Sequence, residues 1–149
     1  MYLDKQTFTT VIDSTPLISI DLVIENSQGQ ALLGLRNNKP AQGYWFVPGG
    51  RVLKNETLDD AFSRLCKDEL GVEFTRQQAE FVGTFEHFYD DCVFNDSIST
   101  HYIVLGYKLS LDLDIENLPQ LQHNQYQWFD VGAIALSDKV HLHTKWYFN

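Results

Sequence analysis

The strongest constraint on the fold comes from one amphipathic segment in the middle of the chain, residues 57–70. Its apolar side chains recur at intervals of three and four residues, at Leu58, Ala61, Phe62, Leu65 and Cys66. That spacing places them on one stripe of an α-helix. Gly71 follows as a residue suited to ending a helix. The segment therefore predicts a helix that packs this stripe against a core.

The flanking sequence alternates between apolar and polar residues, as β-strands do. We predict strands at residues 17–25, 31–36, 44–47, 81–89, 100–111 and 126–129, and a second helix opening within residues 131–136. Many strands around one strong helix predict an α+β fold, with helices on the faces of a sheet. No repeat or linker divides the 149 residues, so we expect a single domain spanning residues 1–149.

Composition excludes several kinds of partner. A net charge of -9 at pH 7 and a pI near 4.8 argue against binding to nucleic acid or to an anionic membrane surface. The sequence has no apolar run long enough to span a bilayer, and its start lacks the pattern of a signal peptide. Two cysteines do not make a disulfide framework. We therefore expect a cytoplasmic protein.

The few arginines are concentrated in one part of the chain. Three of the four arginines, Arg36, Arg51 and Arg64, fall between residues 36 and 64. If the protein binds an anionic substrate, these side chains and a divalent metal must supply the attraction. Arg64 is also spaced to pair along the helix with Asp60 and Asp68, either as a surface ion pair or to orient the acidic residues.

Two carboxylates occupy the last turn of the predicted helix, where the helix dipole disfavours negative charge. Glu69 falls at the centre of the apolar stripe, and Asp68 falls at its edge. A divalent cation such as Mg²⁺ or Mn²⁺ would reverse this electrostatic cost. The alternative is that the core ends at Cys66 and the last turn is exposed to solvent.

These residues carry a resemblance to a known family. Seven residues match the spacing of the Nudix box, Gly-x5-Glu-x7-Arg-Glu-aliphatic-x-Glu-Glu-x-Gly-aliphatic, and they are Gly50, Glu56, Arg64, Asp68, Glu69, Gly71 and Val72. Leu65 stands where the box has one glutamate, and Asp68 replaces another. Most Nudix enzymes use these glutamates to hold metals and to activate water at phosphorus. The loss at Leu65 therefore disfavours ordinary pyrophosphate cleavage.

Four further segments, residues 14–17, 40–51, 87–91 and 100–102, resemble the GDP-mannose mannosyl hydrolases within the Nudix superfamily. That family lacks the same glutamate, and the likeness covers nearly the whole chain. It implies a Nudix fold, a mixed β-sheet sandwiched between α-helices. It also implies hydrolysis of GDP-mannose or GDP-glucose to GDP and free sugar, by attack of water at sugar C1 with inversion.

The resemblance assigns the metal site and the general base. One Mg²⁺ per subunit, or Mn²⁺, would be held by the Gly49 carbonyl and by the side chains of Glu69 and Gln122. His123 would be the general base, although by itself the sequence describes it as an exposed loop histidine. Asp21 would approach the sugar or orient the attacking water, although by itself it is an ordinary solvent-facing strand residue.

The resemblance also assigns the groups that bind the substrate and stabilise the departing GDP. They are Arg36, Arg51 and Tyr102, with Phe8 and His87 close to the site. We interpret His141 and His143 as surface or packing residues, because no third metal ligand is evident near them. A homodimer is implied in the same way.

Two other functions stay open. One is a Nudix pyrophosphohydrolase acting on another nucleoside diphosphate derivative, which Asp68 favours and Leu65 disfavours. The other is a non-catalytic nucleotide-binding module. The sequence does not distinguish mannose from glucose or Mg²⁺ from Mn²⁺.

Overall fold

The computed structural model describes residues 2–119 and 123–148, and only the backbone of residues 123 and 124. Its strands are β1 Leu17–Glu25, β2 Gln30–Arg36, β3 Trp45–Phe46, β4 Gly49–Arg51, β5 Glu80–Tyr89, β6 Thr100–Ser110 and β7 His123–Asp130. Its α-helices are α1 Lys5–Ser14, α2 Leu58–Leu70, α3 Val131–Ile134 and α4 Leu142–Lys145. Short 3₁₀ turns occupy Arg76–Gln78, Ile115–Asn117 and Trp146–Phe148.

The strands form one mixed sheet in the order β3-β2-β1-β6-β5, with β4 added to β1 and β7 added to β2. The β1–β6 pair is parallel, and the other pairs are antiparallel. Helix α2 packs on one face of the sheet, and α3 contributes to the core on the other. This arrangement confirms the predicted α+β class with a mixed sheet between helices.

Helix α2 forms as the sequence predicts. The Thr57 side chain caps its first turn by accepting a hydrogen bond from the Asp60 amide at 3.1 Å. Gly71 ends it with a φ of 80°, in the left-handed region that glycine adopts without steric cost. The apolar stripe, including Phe62 and Leu65, packs against Ile20, Leu22 and Ile24 of β1 in the main core.

Strand β1 is buried on both faces, which differs from the predicted alternation. Ile18 is 49% exposed although it shares a face with the core residue Ile20. On the opposite face, Ser19 and Val23 are buried. The reason is that both faces of β1 are packed, since Ile20 contacts α2 in the main core on one face and Val23 lies in a core with Ile134 of α3 on the other. Side chains on both faces are therefore covered by other elements.

Helix α1 and strand β4 were not predicted. The threonines of α1 favour extended structure. The helix depends on the Asp4 side chain, which caps its first turn, and on the packing of its own Phe8, Val11 and Ile12 against a small core. Strand β4 is a Gly-Gly-Arg segment with no alternation, and it forms by pairing with β1.

Among the described helices, none is long and apolar enough to cross a membrane.

Replacing Gly49 with alanine should destabilise the fold, because Gly49 lies directly against β1. A Cβ atom there would come within 2.4 Å of the Ile20 carbonyl oxygen and 2.7 Å of Asp21 Oδ1. We expect G49A to lower the free energy of unfolding by roughly 1–3 kcal/mol in urea titrations. Gly132 is the matched control, because a Cβ there meets no atom within 4 Å. Equal stability of G49A and G132A would contradict the close β4–β1 approach.

Candidate active site

A cavity of about 430 Å³ opens between α1, the sheet and the C-terminal half of α2. Its volume lies in the range of small-molecule sites in proteins. Most of the residues predicted to form the site line it, namely Phe8, Asp21, Arg36, Gly49, Arg51, Glu69, His87 and Tyr102. Residues far apart in the sequence therefore meet in one place, and Asp68, Arg64 and Tyr89 also line the cavity.

Two predicted site residues cannot be placed in the same way. Gln122 lies outside the described residues, as does the side chain of His123. The backbone of residue 123 is described, and its Cα pairs with that of Arg36 across the β2–β7 ladder. The roles of Gln122 as metal ligand and His123 as general base therefore stay predictions. The backbone of residue 123 nevertheless lies directly beside Arg36, which lines the cavity.

Glu69 is buried in the cavity wall, with 1% of its surface exposed. Its Oε2 lies 3.3 Å from the Tyr126 hydroxyl, whereas its Oε1 is buried and has no hydrogen-bond partner among the described residues. Burial raises the pKa of this carboxyl group to about 7. Since Leu70 beside it is also buried, the alternative of a solvent-exposed last turn is wrong.

The unpartnered Glu69 oxygen provides a test of whether the site fits a divalent metal. A carboxylate oxygen and the carbonyl of Gly49, which lies in the same cavity wall, are hard donors of the kind that Mg²⁺ and Mn²⁺ prefer. The described residues contain no cluster of three or more His, Cys, Asp or Glu side chains that could hold a metal. These donors therefore fit an ion held by one or two carboxylates together with substrate phosphates, as is common for Mg²⁺.

Leu65 lies one helical turn before Glu69 and is 2% exposed. It packs in the main core and also borders the cavity. The position where the Nudix box has a glutamate is therefore apolar and part of the hydrophobic core. Asp68, by contrast, keeps 42% of its side chain exposed and lies 3.6 Å from Arg64.

Arg64 has a structural role that the helical spacing did not reveal. Its guanidinium makes two hydrogen bonds to the Glu56 carboxylate, at 2.7 and 3.0 Å, and a third to the Arg51 carbonyl at 2.8 Å. Glu56, and not Asp60, is thus its main partner, and this pair ties the loop before α2 to the helix. The bidentate contact lowers the pKa of Glu56.

Arg36 and Arg51 differ from Arg64 because neither forms an ion pair within the described part of the chain. The Arg36 guanidinium lies 5.6 Å from the ring centre of Phe46, and that of Arg51 lies 4.4 Å from the ring centre of Phe8. Such cation–π contacts hold a guanidinium in place without neutralising its charge. The cavity therefore presents two positive charges to an anionic ligand.

Asp21 is half-buried at the cavity, so the alternative of a solvent-facing strand residue is wrong. The Tyr147 hydroxyl donates a hydrogen bond to Asp21 Oδ2 at 2.7 Å. Burial raises the pKa of Asp21 to about 7, and the Tyr147 hydrogen bond opposes that shift. Tyr147 was not predicted, because no local pattern links residues 126 positions apart.

His87 lies in the cavity wall and is 4% exposed. Its ring stacks on His143, with 4.3 Å between ring centroids, and its Nε2 has no partner among the described residues. Burial, with neighbouring His143 and His141, lowers the pKa of His87 to about 3, so the ring is neutral at pH 7. His143 is a buried packing residue behind it, which confirms the interpretation from the sequence.

Comparison with known proteins places this geometry in a family. The model of the NUDIX domain matches residues 15–149. The low-salt glycan biosynthesis protein Agl8 of Haloferax volcanii is 46% identical over 121 residues, covering 80% of this chain and 74% of Agl8.

Solved structures show the same fold at low identity. The MutT protein of Methanosarcina mazei Go1 superposes with a TM-score of 0.72 at 20% identity, covering 91% of this chain and 92% of that one. The NUDIX domain of Shewanella oneidensis NrtR, complexed with ADP ribose, gives 0.66 at 17% identity, covering 97% and 95%. Four of the seven box residues line the cavity, namely Gly50, Arg64, Asp68 and Glu69. Since the family model also matches nearly the whole length, this chain belongs to the Nudix hydrolase family.

Proposed function

We propose that this protein hydrolyses the glycosidic bond of a GDP-sugar, GDP-mannose or GDP-glucose, and releases GDP and the free sugar. The observation that carries the proposal is the buried Leu65 at a box position that normally bears a glutamate. Within α2, Glu69 is then the one buried carboxylate that the described residues offer to the cavity. A site with fewer metal-binding carboxylates is poorly equipped to activate water at phosphorus.

Attack at carbon makes different demands on the site. The oxygen of water bonds to C1, the bond from C1 to the diphosphate oxygen breaks, and its electron pair leaves with GDP. A bound Mg²⁺ or Mn²⁺ would supply charge neutralisation for the diphosphate. Arg36 and Arg51, which have no acidic partner among the described residues, are suited to stabilise the same departing charge.

Polar groups around the cavity suit the remaining roles. Burial raises the pKa of Tyr102, which keeps its hydroxyl protonated as a hydrogen-bond donor to the leaving oxygen. His87 is neutral and suited to bind a sugar hydroxyl. In this proposal, His123 accepts the proton of the attacking water, and its backbone position is paired with Arg36. Asp21 orients the same water.

Agl8 supports the substrate class, since its name associates it with glycan biosynthesis, a process that uses activated sugars.

Asp68 favours the second candidate, a Nudix pyrophosphohydrolase, because its carboxylate lines the cavity next to Glu69. The homodimer and the cytoplasmic location stay predictions.

Incubation with GDP-mannose and Mg²⁺ tests the proposed function. We expect GDP and free mannose as the products, identified by chromatography and ¹H NMR. GMP with mannose 1-phosphate would overturn the proposal in favour of a pyrophosphohydrolase. Binding without turnover, measured by calorimetry, would overturn it in favour of a nucleotide-binding module.

Arginine variants test the neutralisation of the leaving group. We expect Arg36→Gln and Arg51→Gln each to lower kcat about 10²- to 10³-fold, because each removes a positive charge that the transition state uses. Arg76→Gln is the matched control, since Arg76 pairs with Asp59 and does not line the cavity. Its kcat should stay within about twofold of the wild type. Equal losses in all three variants would contradict the assignment.

The metal site is tested by the thermal stability of Glu69→Gln. A buried acid whose pKa rises to about 7 on folding stabilises the protein at low pH, and this contribution is lost as pH rises from about 4.5 to 7. At pH 8 without metal, E69Q should therefore be more stable than the wild type, by an amount on the order of 2–3 kcal/mol. It should also lose the rise in Tm that Mg²⁺ gives the wild type.

The exposed Glu73 is the control for this measurement. Glu73→Gln should keep the wild-type Tm and its response to Mg²⁺. An unchanged Mg²⁺ response in E69Q would rule out Glu69 as a ligand.

A further inference from the structure

Asp21 stands in a row of glycines that crosses four strands of the sheet. It pairs with Gly49 of β4 on one side and with Gly106 of β6 on the other. Gly106 in turn pairs with Gly83 of β5. Directly paired residues project from the same face of a sheet. Since both partners of Asp21 are glycines, no side chain stands beside it on that face. The row therefore leaves a groove on this face, with Asp21 as its polar group.

The ring of Tyr147 fills the part of this groove next to Asp21. A Cβ atom at Gly106 would come within 2.9 Å of Tyr147 Cε1, so the ring occupies the space that a side chain at residue 106 would take. The ring also packs edge-on against Phe85, with 4.8 Å between centroids. Its hydroxyl reaches Asp21 Oδ2 at 2.7 Å.

The two oxygens of Asp21 are consequently in different surroundings. Oδ2 accepts the hydrogen bond from Tyr147, while Oδ1 lies on the side of Gly49, 2.7 Å from where a Cβ atom of that glycine would be. Burial raises the pKa of the Tyr147 hydroxyl, which therefore stays protonated and acts as a donor. A hydrogen bond to one oxygen fixes the torsion of the carboxylate and with it the direction of the other oxygen.

We propose that Tyr147 is a positioning residue, whose hydroxyl holds the Asp21 carboxylate in the orientation needed for catalysis. The 3₁₀ turn Trp146–Phe148 at the end of the chain is thereby part of the active site. The inference rests on the proposed function, which assigns Asp21 to the attacking water or the sugar. Tyr147 acts through Asp21, since the described cavity lining includes Asp21 and not Tyr147.

Tyr147 also packs against the core on the α3 side of the sheet, which includes Val23 and Ile134, so its hydroxyl must be tested apart from its ring. Tyr147→Phe removes the hydroxyl alone. We expect it to lower kcat about 10- to 100-fold with KM changed less than about threefold, because a charge-assisted hydrogen bond is lost and the ring contacts remain.

The matched control is Tyr107→Phe, which removes the hydroxyl of another buried tyrosine. That hydroxyl bonds to Arg76 at 3.3 Å, and Tyr107 does not line the cavity. We expect kcat of Y107F to equal that of the wild type. An equal loss in Y107F and Y147F would show a structural effect and would overturn the proposal.

A double-mutant cycle with Asp21→Ala distinguishes positioning from packing. If the Tyr147 hydroxyl acts through Asp21, Y147F should cause no further loss of kcat in the D21A background. A loss in that background as large as in the wild type would overturn the proposal, as would an unchanged kcat in Y147F alone.

The proposed function is judged separately, on the products of the wild-type protein. If the wild type fails to release GDP and sugar, the ¹³C NMR resonance of the Asp21 carboxyl still tests the positioning contact. Y147F should shift that resonance in protein labelled at the aspartate carboxyl carbon, and Y107F should not. An unshifted resonance in Y147F would overturn the proposal.

Discussion

The proposed metal binding in the candidate site depends on one unfavourable burial, that of the Glu69 carboxylate at the end of α2. Burial raises its pKa to about 7, and one of its oxygens has no hydrogen-bond partner among the described residues. A group with this environment costs stability when it is charged, and a bound cation removes that cost. The other oxygen lies 3.3 Å from the Tyr126 hydroxyl, and Leu65, one helical turn earlier, adds a buried apolar side chain to the cavity wall.

The charge distribution explains how an acidic protein is suited to an anionic substrate. The chain carries a net charge of -9, yet Arg36 and Arg51 face the cavity without an acidic partner in the described structure. Arg64, the third arginine of this region, is neutralised by Glu56 and serves the loop that precedes α2. Positive charge is therefore available at the cavity, which suits the diphosphate of the nucleotide sugar that we propose as substrate.

Local patterns in the sequence predicted the framework and part of the site. Helix α2 and strand β2 follow from apolar periodicity and turn residues, because these signals lie within a few residues of one another. The resemblance to the GDP-mannose mannosyl hydrolases predicted that Glu69 and Gly49 belong to one site, and both line the cavity. Helix α1 was missed because its stability comes from packing partners elsewhere in the chain, such as Cys92 and Ile98.

The interactions that sequence reasoning missed are those that span the fold. The burial of Asp21 depends on the parallel pairing of β1 with β6 and on Tyr147 at the far end of the chain. The Arg64–Glu56 pair joins residues that no helical spacing connects. Both arise from tertiary structure, and neither leaves a periodic signal in the sequence.

If water attacks carbon, as we propose, the solvent oxygen is incorporated into the sugar, and its position in the products is the decisive observation. Attack at the β-phosphorus also yields GDP and mannose, so product identity does not separate the two mechanisms. Hydrolysis of GDP-mannose in H₂¹⁸O followed by mass spectrometry does. We expect ¹⁸O in the mannose and none in the GDP, whereas ¹⁸O in the GDP phosphate would show attack at phosphorus and overturn the proposed mechanism.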